Sequence, residues 1–207
     1  MTRADQGGRD ARRYGRNIIA FYLDAPEDTQ RAGAVWYQLE HERVRDLSAR
    51  WGLPVPNLAC AAAAISPGMR WEWVPAYLEA LRQNPEAKVP TYSKEFARRA
   101  VRCMRPDADP WPIISGPKVT AFARLLAEPS GDAVVGDCHA WNICRQERHA
   151  LRGGNVPAAA RVTARRYRVA AAELDLYPHQ VQATTWIHWR DAWGVAPADG
   201  ERIPGED

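Results

Sequence analysis

The chain has 207 residues, 46% of them hydrophobic and 26% charged, and a net charge of +3. Chains of about 150–300 residues bury roughly 70% or more of their unfolded surface, so a packed core is expected and disorder is confined to the ends. No stretch reaches the ~18 apolar residues that mark a membrane span, and Cys60, Cys103, Cys138 and Cys144 form neither a Cys-x-x-Cys pair nor a zinc-site spacing. The expectation is a cytoplasmic, monomeric protein with reduced thiols, no membrane partner and no metal or organic cofactor.

In chain order, residues 1–20 begin with Gly7-Gly8 and Arg3, Arg12, Arg13 and Arg16, and read as a flexible basic tail. The spacing of Val35, Trp36, Leu39, Val44 and Leu47 predicts a helix over 27–50, acidic at its start and stopped by Gly52 and Pro54. Asn57 is placed to cap the apolar run Leu58 to Ile65, which Ser66-Pro67-Gly68 breaks. A helix near 70–83 follows. Thr91 or Ser93 caps a helix over 93–104, whose apolar face holds Phe96, Ala97, Ala100, Val101 and Met104. Lys94, Arg98, Arg102 and Arg105 fall in one stripe on its other side, a solvated face or a phosphate-tracking one.

Asp107 is placed to cap a short helix over 109–114, and Ser115-Gly116-Pro117-Lys118 leads tightly into a helix over 119–127. After Pro129-Ser130-Gly131, the run Ala133-Val134-Val135-Gly136 reaches Asp137, which opens a helix from Cys138 to about His149. Two more helices are expected, 157–174 and, with Pro178 in its first turn, 178–192. On them, Arg161, Arg165 and Arg168 form a second basic stripe, and Trp186, Trp189 and Trp193 are packing residues. Residues 196–207 read as a second flexible tail. Nothing alternates with strand periodicity for long enough to build a sheet, so the fold class is all-α.

Two segments carry chemistry. In Trp111-Pro-Ile-Ile-Ser-Gly-Pro-Lys-Val-Thr-Ala-Phe122, two helices joined by a glycine turn would expose backbone N–H groups, which bind phosphate without reading sequence. Gly116 allows close approach, and Lys118 adds a cation there. In Val134-Val-Gly-Asp-Cys-His-Ala-Trp-Asn-Ile143, Asp137 would face a nucleotide anchored by that turn. As an isolated residue, Asp137 reads first as an ordinary helix N-cap, and it is the turn upstream that shifts the reading toward chemistry.

This order resembles the helix-hairpin-helix DNA glycosylase superfamily of the endonuclease III type, in a divergent phage or actinobacterial form. Gly116 and Lys118 look like the hairpin glycine and lysine of that family, and Asp137 and His139 look like its Asp-x-His. Ala63-Ala-Ile-Ser-Pro67 and Tyr92-Ser93-Lys94 resemble the segments that precede the hairpin. The chain departs from the pattern in having one hairpin glycine, in Pro117, in Gly136 where a branched apolar residue is usual, in Cys138 for threonine, and in lacking the four cysteines of the iron–sulfur cluster.

The resemblance implies a two-lobed helical fold over 21–195, with a central lobe at 57–147 and a second lobe from 27–50 and 157–192. It implies a double-stranded DNA partner and hydrolysis of the N-glycosidic bond of a flipped base, with Asp137 stabilising the sugar cation or activating water. Lys118 would either form a Schiff base with the sugar or pair with phosphate. Gly116, His139, Ser66, Lys94, Arg98 and Arg102 would join Lys118 at the DNA, and Trp71, Trp73 and Tyr92 are candidates to stack on the extruded base. Two other functions fit the same motifs, a transferase acting on hypermodified phage bases and a non-catalytic DNA-binding module.

Overall fold

The computed structural model describes residues 3–91, 93–147 and 157–193. All regular structure among the described residues is helical, and no strand occurs among them. None of the helices is long and apolar enough to cross a membrane. The chain divides into two units, Met1–Leu39 with Pro129–Gly194, and Glu40–Glu128. Residues 129–147, expected in the central lobe, fall in the first of these units. The expected tail at 196–207 lies outside the described residues.

In the first unit, residues 3–24 form a helix, α1 (Arg3–Asp24), where a tail was expected. The reason is packing: Ile18 is fully buried, and Tyr14, Ile19, Phe21 and Tyr22 pack against the same core. That core brings α1 together with α7 (Cys138–Arg145), α8 (Pro157–Glu173) and α9 (Pro178–Trp193), through Val134, Ile143, Cys144, Tyr167, Val181 and Trp189. The aromatic Phe21 lies 4.6 Å from His188 and 5.8 Å from Trp189.

The helix α2 (Glu27–Trp51) starts acidic and ends at Gly52 in a left-handed conformation, as its sequence predicts. Its buried stripe, however, is Gly33, Tyr37, Glu40, Val44 and Ser48, while Val35 and Leu39 are exposed. Gly33 decides this orientation, because a β-carbon there would overlap the backbone of Thr184 on α9. One turn on, the Tyr37 hydroxyl donates to Gln182 Oε1 at 2.7 Å. Nearby on α8, the Tyr167 hydroxyl and Thr185 Oγ1 are 2.9 Å apart. Burial pushes both phenols well above their ordinary pKa. The second basic stripe is partly paired, since Arg168 Nε donates to both the carbonyl and the carboxylate of Asp132 at 2.8 Å.

The second unit is built around α3 (Val55–Ile65). Every residue from Asn57 to Ile65 is buried, and five of those nine are alanines. A helix that is apolar all round belongs inside a protein, and small side chains let its neighbours approach. The neighbours are α5 (Lys94–Cys103), α6 (Pro117–Ala127) and α4 (Val74–Gln83), the last preceded by a single 3-10 turn at Trp71–Trp73. Asn57 does not cap α3 as expected; Pro54 occupies that place. Instead the Asn57 amide lies 2.9, 2.9 and 3.2 Å from the carbonyls of Cys103, Arg105 and Ala108, pinning the chain as it leaves α5.

The helix expected at 109–114 is a run of turns. Pro110 and Pro112 supply no N–H, and the Asp109 carboxylate takes the Trp111 N–H at 3.2 Å, holding an Asx turn in place of a helical one.

Candidate functional site

Within the second unit, Ser93 caps α5 by accepting from the Glu95 N–H at 3.2 Å. That start sets the rotation of the helix. Ala100 and Cys103 are buried, while Lys94, Arg98, Arg102 and Arg105 are exposed. Arg99 lies between the two faces. Its Nε donates to Glu95 at 3.1 Å, and its Nη1 donates to Ser115 Oγ at 2.8 Å. The second bond ties α5 to the turn that opens α6. Arg102 follows Arg98 by four residues and Arg99 by three, so the exposed cations and this tie lie on adjacent strips of one helix.

Gly116 has φ +89 and ψ 141 and stands immediately before α6, with Pro117 in the first turn. Glycine reaches this conformation without strain, and Gly116 is exposed. Pro117 has no N–H, and the Thr120 N–H returns to the Gly116 carbonyl at 3.0 Å, leaving the N–H groups of Lys118 and Val119 without an acceptor among the described residues. Lys118 itself is half-buried. The motif is thus a loop–turn–helix, with only the second of the two helices expected around the hairpin.

Asp137 belongs to the first unit. It N-caps α7, with Oδ1 accepting from the Ala140 N–H at 2.9 Å, and its residue is 7% exposed. Behind burial itself, its charge is among the influences that raise the phenols of Tyr37 and Tyr167. Gly136 precedes it, and a β-carbon there would overlap the Ala160 carbonyl. His139 is half-buried, and its Nδ1 is buried without a hydrogen-bond partner among the described residues.

The remaining predicted residues divide as follows. Ser66 ends α3 with its hydroxyl donating to the Ala63 carbonyl at 3.1 Å, a local structural role. Trp71 and Trp73 are half-buried, Trp71 edge-on to Phe122 at 5.0 Å and Trp73 under the Arg70 guanidinium at 5.2 Å. Tyr92 lies outside the described residues. Lys94, Arg98, Arg102, Gly116 and Lys118 thus belong to the second unit, as do Ser66 and the two tryptophans, while Asp137 and His139 belong to the first.

Sequence reasoning missed Glu40. Its side chain is only 6% exposed, it is 2.7 Å from Arg43, and it lines a shallow cavity with Trp71, Leu58 and Val74. A charged residue in a helix otherwise rich in charge gives no sequence signal of burial. The described residues include no group of three or more metal-ligating side chains.

No curated protein and no solved structure matches the chain. Its residues 1–193 match the model of a family of unknown function, DUF7178, and the chain belongs to that family.

Proposed function

We propose that this chain is a DNA glycosylase-like protein, in which the α5–α6 segment binds the phosphate backbone and Asp137 assists the release of a flipped base. The observation that carries the proposal is the Arg99–Ser115 bond. It couples a helix bearing Lys94, Arg98 and Arg102, none of them ion-paired among the described residues, to the turn that presents the open N–H groups of α6. Cations and oriented N–H donors in one unit suit phosphate oxygens.

In the proposed reaction water adds to the sugar C1′, the C1′–N bond breaks, and its electron pair leaves with the base, which takes up a proton. The products are a free base and an abasic sugar. The Asp137 carboxylate would stabilise the cationic sugar in between. Lys118 binds phosphate in this reading, because a half-buried lysine beside a proline-shortened turn suits a fixed cation.

One observation favours a second reading, DNA binding without chemistry: the Asp137 carboxylate already accepts from its own helix. Incubation with duplexes carrying damaged or modified bases, followed by alkaline cleavage at abasic sites, decides between them. Abasic sites formed by the wild type and lost in Asp137→Asn support the glycosylase reading. Retained duplex binding with no base released from any substrate supports the binder.

A further inference from the structure

The cavity beside Glu40 lies wholly within the second unit. Its apolar lining comes from Leu58 and Ala62 on α3 and from Val74 and Leu78 on α4. The Trp71 indole forms part of the wall and meets Phe122 edge-on at 5.0 Å. On α2, Glu40 and Val44 are four residues apart, so the carboxylate comes to the same side of the helix as the apolar lining.

A carboxylate in this setting is only half satisfied. The Glu40 side chain is 6% exposed. Its Oε1 accepts from Arg43 Nη1 at 2.7 Å, but the Arg43 side chain is 67% exposed and stands at the outer edge. The other oxygen, Oε2, accepts no hydrogen bond among the described residues, and it is not sealed away from solvent. Removing an ion from water costs free energy unless its lone pairs find donors, so this oxygen calls for a cationic N–H. Glu72 at the exposed rim adds a second negative charge, against the single positive charge of Arg43. Two carboxylates with no third metal-ligating side chain among the described residues suit a nitrogen cation better than a metal ion.

We propose that this cavity binds a small primary ammonium, a protonated amine on a short aliphatic stem. The ammonium donates to Glu40 Oε2, the stem lies on the leucine, alanine and valine lining, and the Trp71 indole adds a cation–π attraction. The cavity measures about 60 Å³, and one water needs roughly 10–15 Å³ of such space, so a group of about five heavy atoms fits. The inference is independent of the DNA reading.

The test is titration of the full chain with n-butylammonium chloride at pH 7, followed by ligand-observed saturation-transfer NMR. The amine is protonated there, as a lysine side chain is. The neutral alcohol n-butanol, of the same size, should bind about tenfold more weakly, because hydrogen bonds between charged groups are roughly twice as strong as neutral ones. Glu40→Gln keeps the shape of the side chain and should weaken the amine by about the same factor while leaving the alcohol unchanged. Arg43→Gln removes the competing cation and should bind the amine several-fold more tightly. Misfolding does not produce these two shifts in opposite directions, and if thermal melting shows that Glu40→Gln does not fold, Arg43→Gln decides alone. Equal affinity for amine and alcohol, an amine affinity unchanged in Glu40→Gln, or one unchanged or weaker in Arg43→Gln overturns the inference. So does a wild type that binds no amine.

Discussion

The backbone at Gly136 lies so close to that of Ala160 that no side chain fits between them. Position 136 leads directly into Asp137 and α7, while Ala160 is in the first turn of α8. The glycine is therefore required by a close helix approach. Gly136→Ala should cost about 1–3 kcal/mol by overpacking. Gly15 is the opposite case, since a β-carbon there meets nothing within 4 Å. Gly15→Ala in the interior of α1 should stabilise by about 0.5–1 kcal/mol. Urea unfolding midpoints measure both, and a Gly136→Ala midpoint at or above wild type would refute the close-approach argument.

Helices whose signals are local were readable from the residues. The acidic start and glycine stop of α2 and Pro178 at the start of α9 act within one or two turns, and the sequence carries both. Asp137 as the opening of α7 was equally visible, because capping is an interaction three residues long. Features that depend on distant partners were not visible. Gly7-Gly8 and the arginines of α1 look like a tail until Ile18 finds the α7–α9 core. Val35 and Leu39 look like a buried stripe until Gly33 turns the other face of α2 toward Thr184. At the candidate site, the cations and Gly116 could be named from spacing, but the Arg99–Ser115 tie joins residues sixteen apart through a loop that reads as helix.

Asn57 gives the strongest stability prediction in the second unit. Its amide faces three carbonyls, and its two hydrogens serve them with one bond shared. Asn57→Ala leaves those buried carbonyls without a donor, at a cost of about 1–3 kcal/mol. Asn57→Asp should be worse, because a carboxylate has no hydrogen to give and turns its charge toward three oxygens. If the residue acted only as a helix cap, aspartate would replace it with little loss, so the order of the two variants in denaturant unfolding distinguishes the roles.

Acid should weaken the first unit through His179. Its ring stacks on Tyr177 at 5.5 Å and meets Tyr37 edge-on at 5.9 Å, and its Nδ1 is buried without a partner among the described residues. Burial lowers its pKa below the ordinary 6.5. The unfolded chain therefore binds the proton more readily, and unfolding is accompanied by proton uptake below pH 6.5. The stability this neutral ring contributes is complete above pH 6.5 and is lost as the pH falls toward the lower folded value. The position of His179 in the first turn of α9 acts in the same direction, because a cation opposes the helix dipole there. His179→Phe should flatten the fall in unfolding free energy between pH 7 and 5; an identical slope in both proteins would remove His179 as its source.

The thiols should divide sharply. Burial pushes Cys60, Cys103 and Cys144 up to about 12, while Cys138 is the one cysteine that is not buried. A thiol near that value is roughly one part in ten thousand thiolate at pH 8, and the thiolate is the reactive form. Titration of the native protein with a thiol reagent at pH 8 should label one cysteine quickly, and the unfolded protein should show all four. Rapid reaction of a second thiol in the native state would contradict the burial of α3, α5 or α7.

Asp137 holds a structural role and a proposed chemical one, and two substitutions separate them. The cap bond to Ala140 needs only a side-chain oxygen, which asparagine keeps. Asp137→Asn should therefore lose only the charge's interaction with the α7 dipole, about 0.3–1 kcal/mol at most. Asp137→Ala also gives up the cap bond and leaves a buried N–H unpaired, for a loss of about 0.5–2 kcal/mol. Catalysis ranks the same variants differently, because stabilising a sugar cation needs the negative charge that both have lost. A residue that only caps would show effects tracking stability, with Asn near wild type in every assay. A residue that also acts on the sugar would show Asn folded like the wild type, bound to duplex like the wild type, and as inactive in base release as Ala.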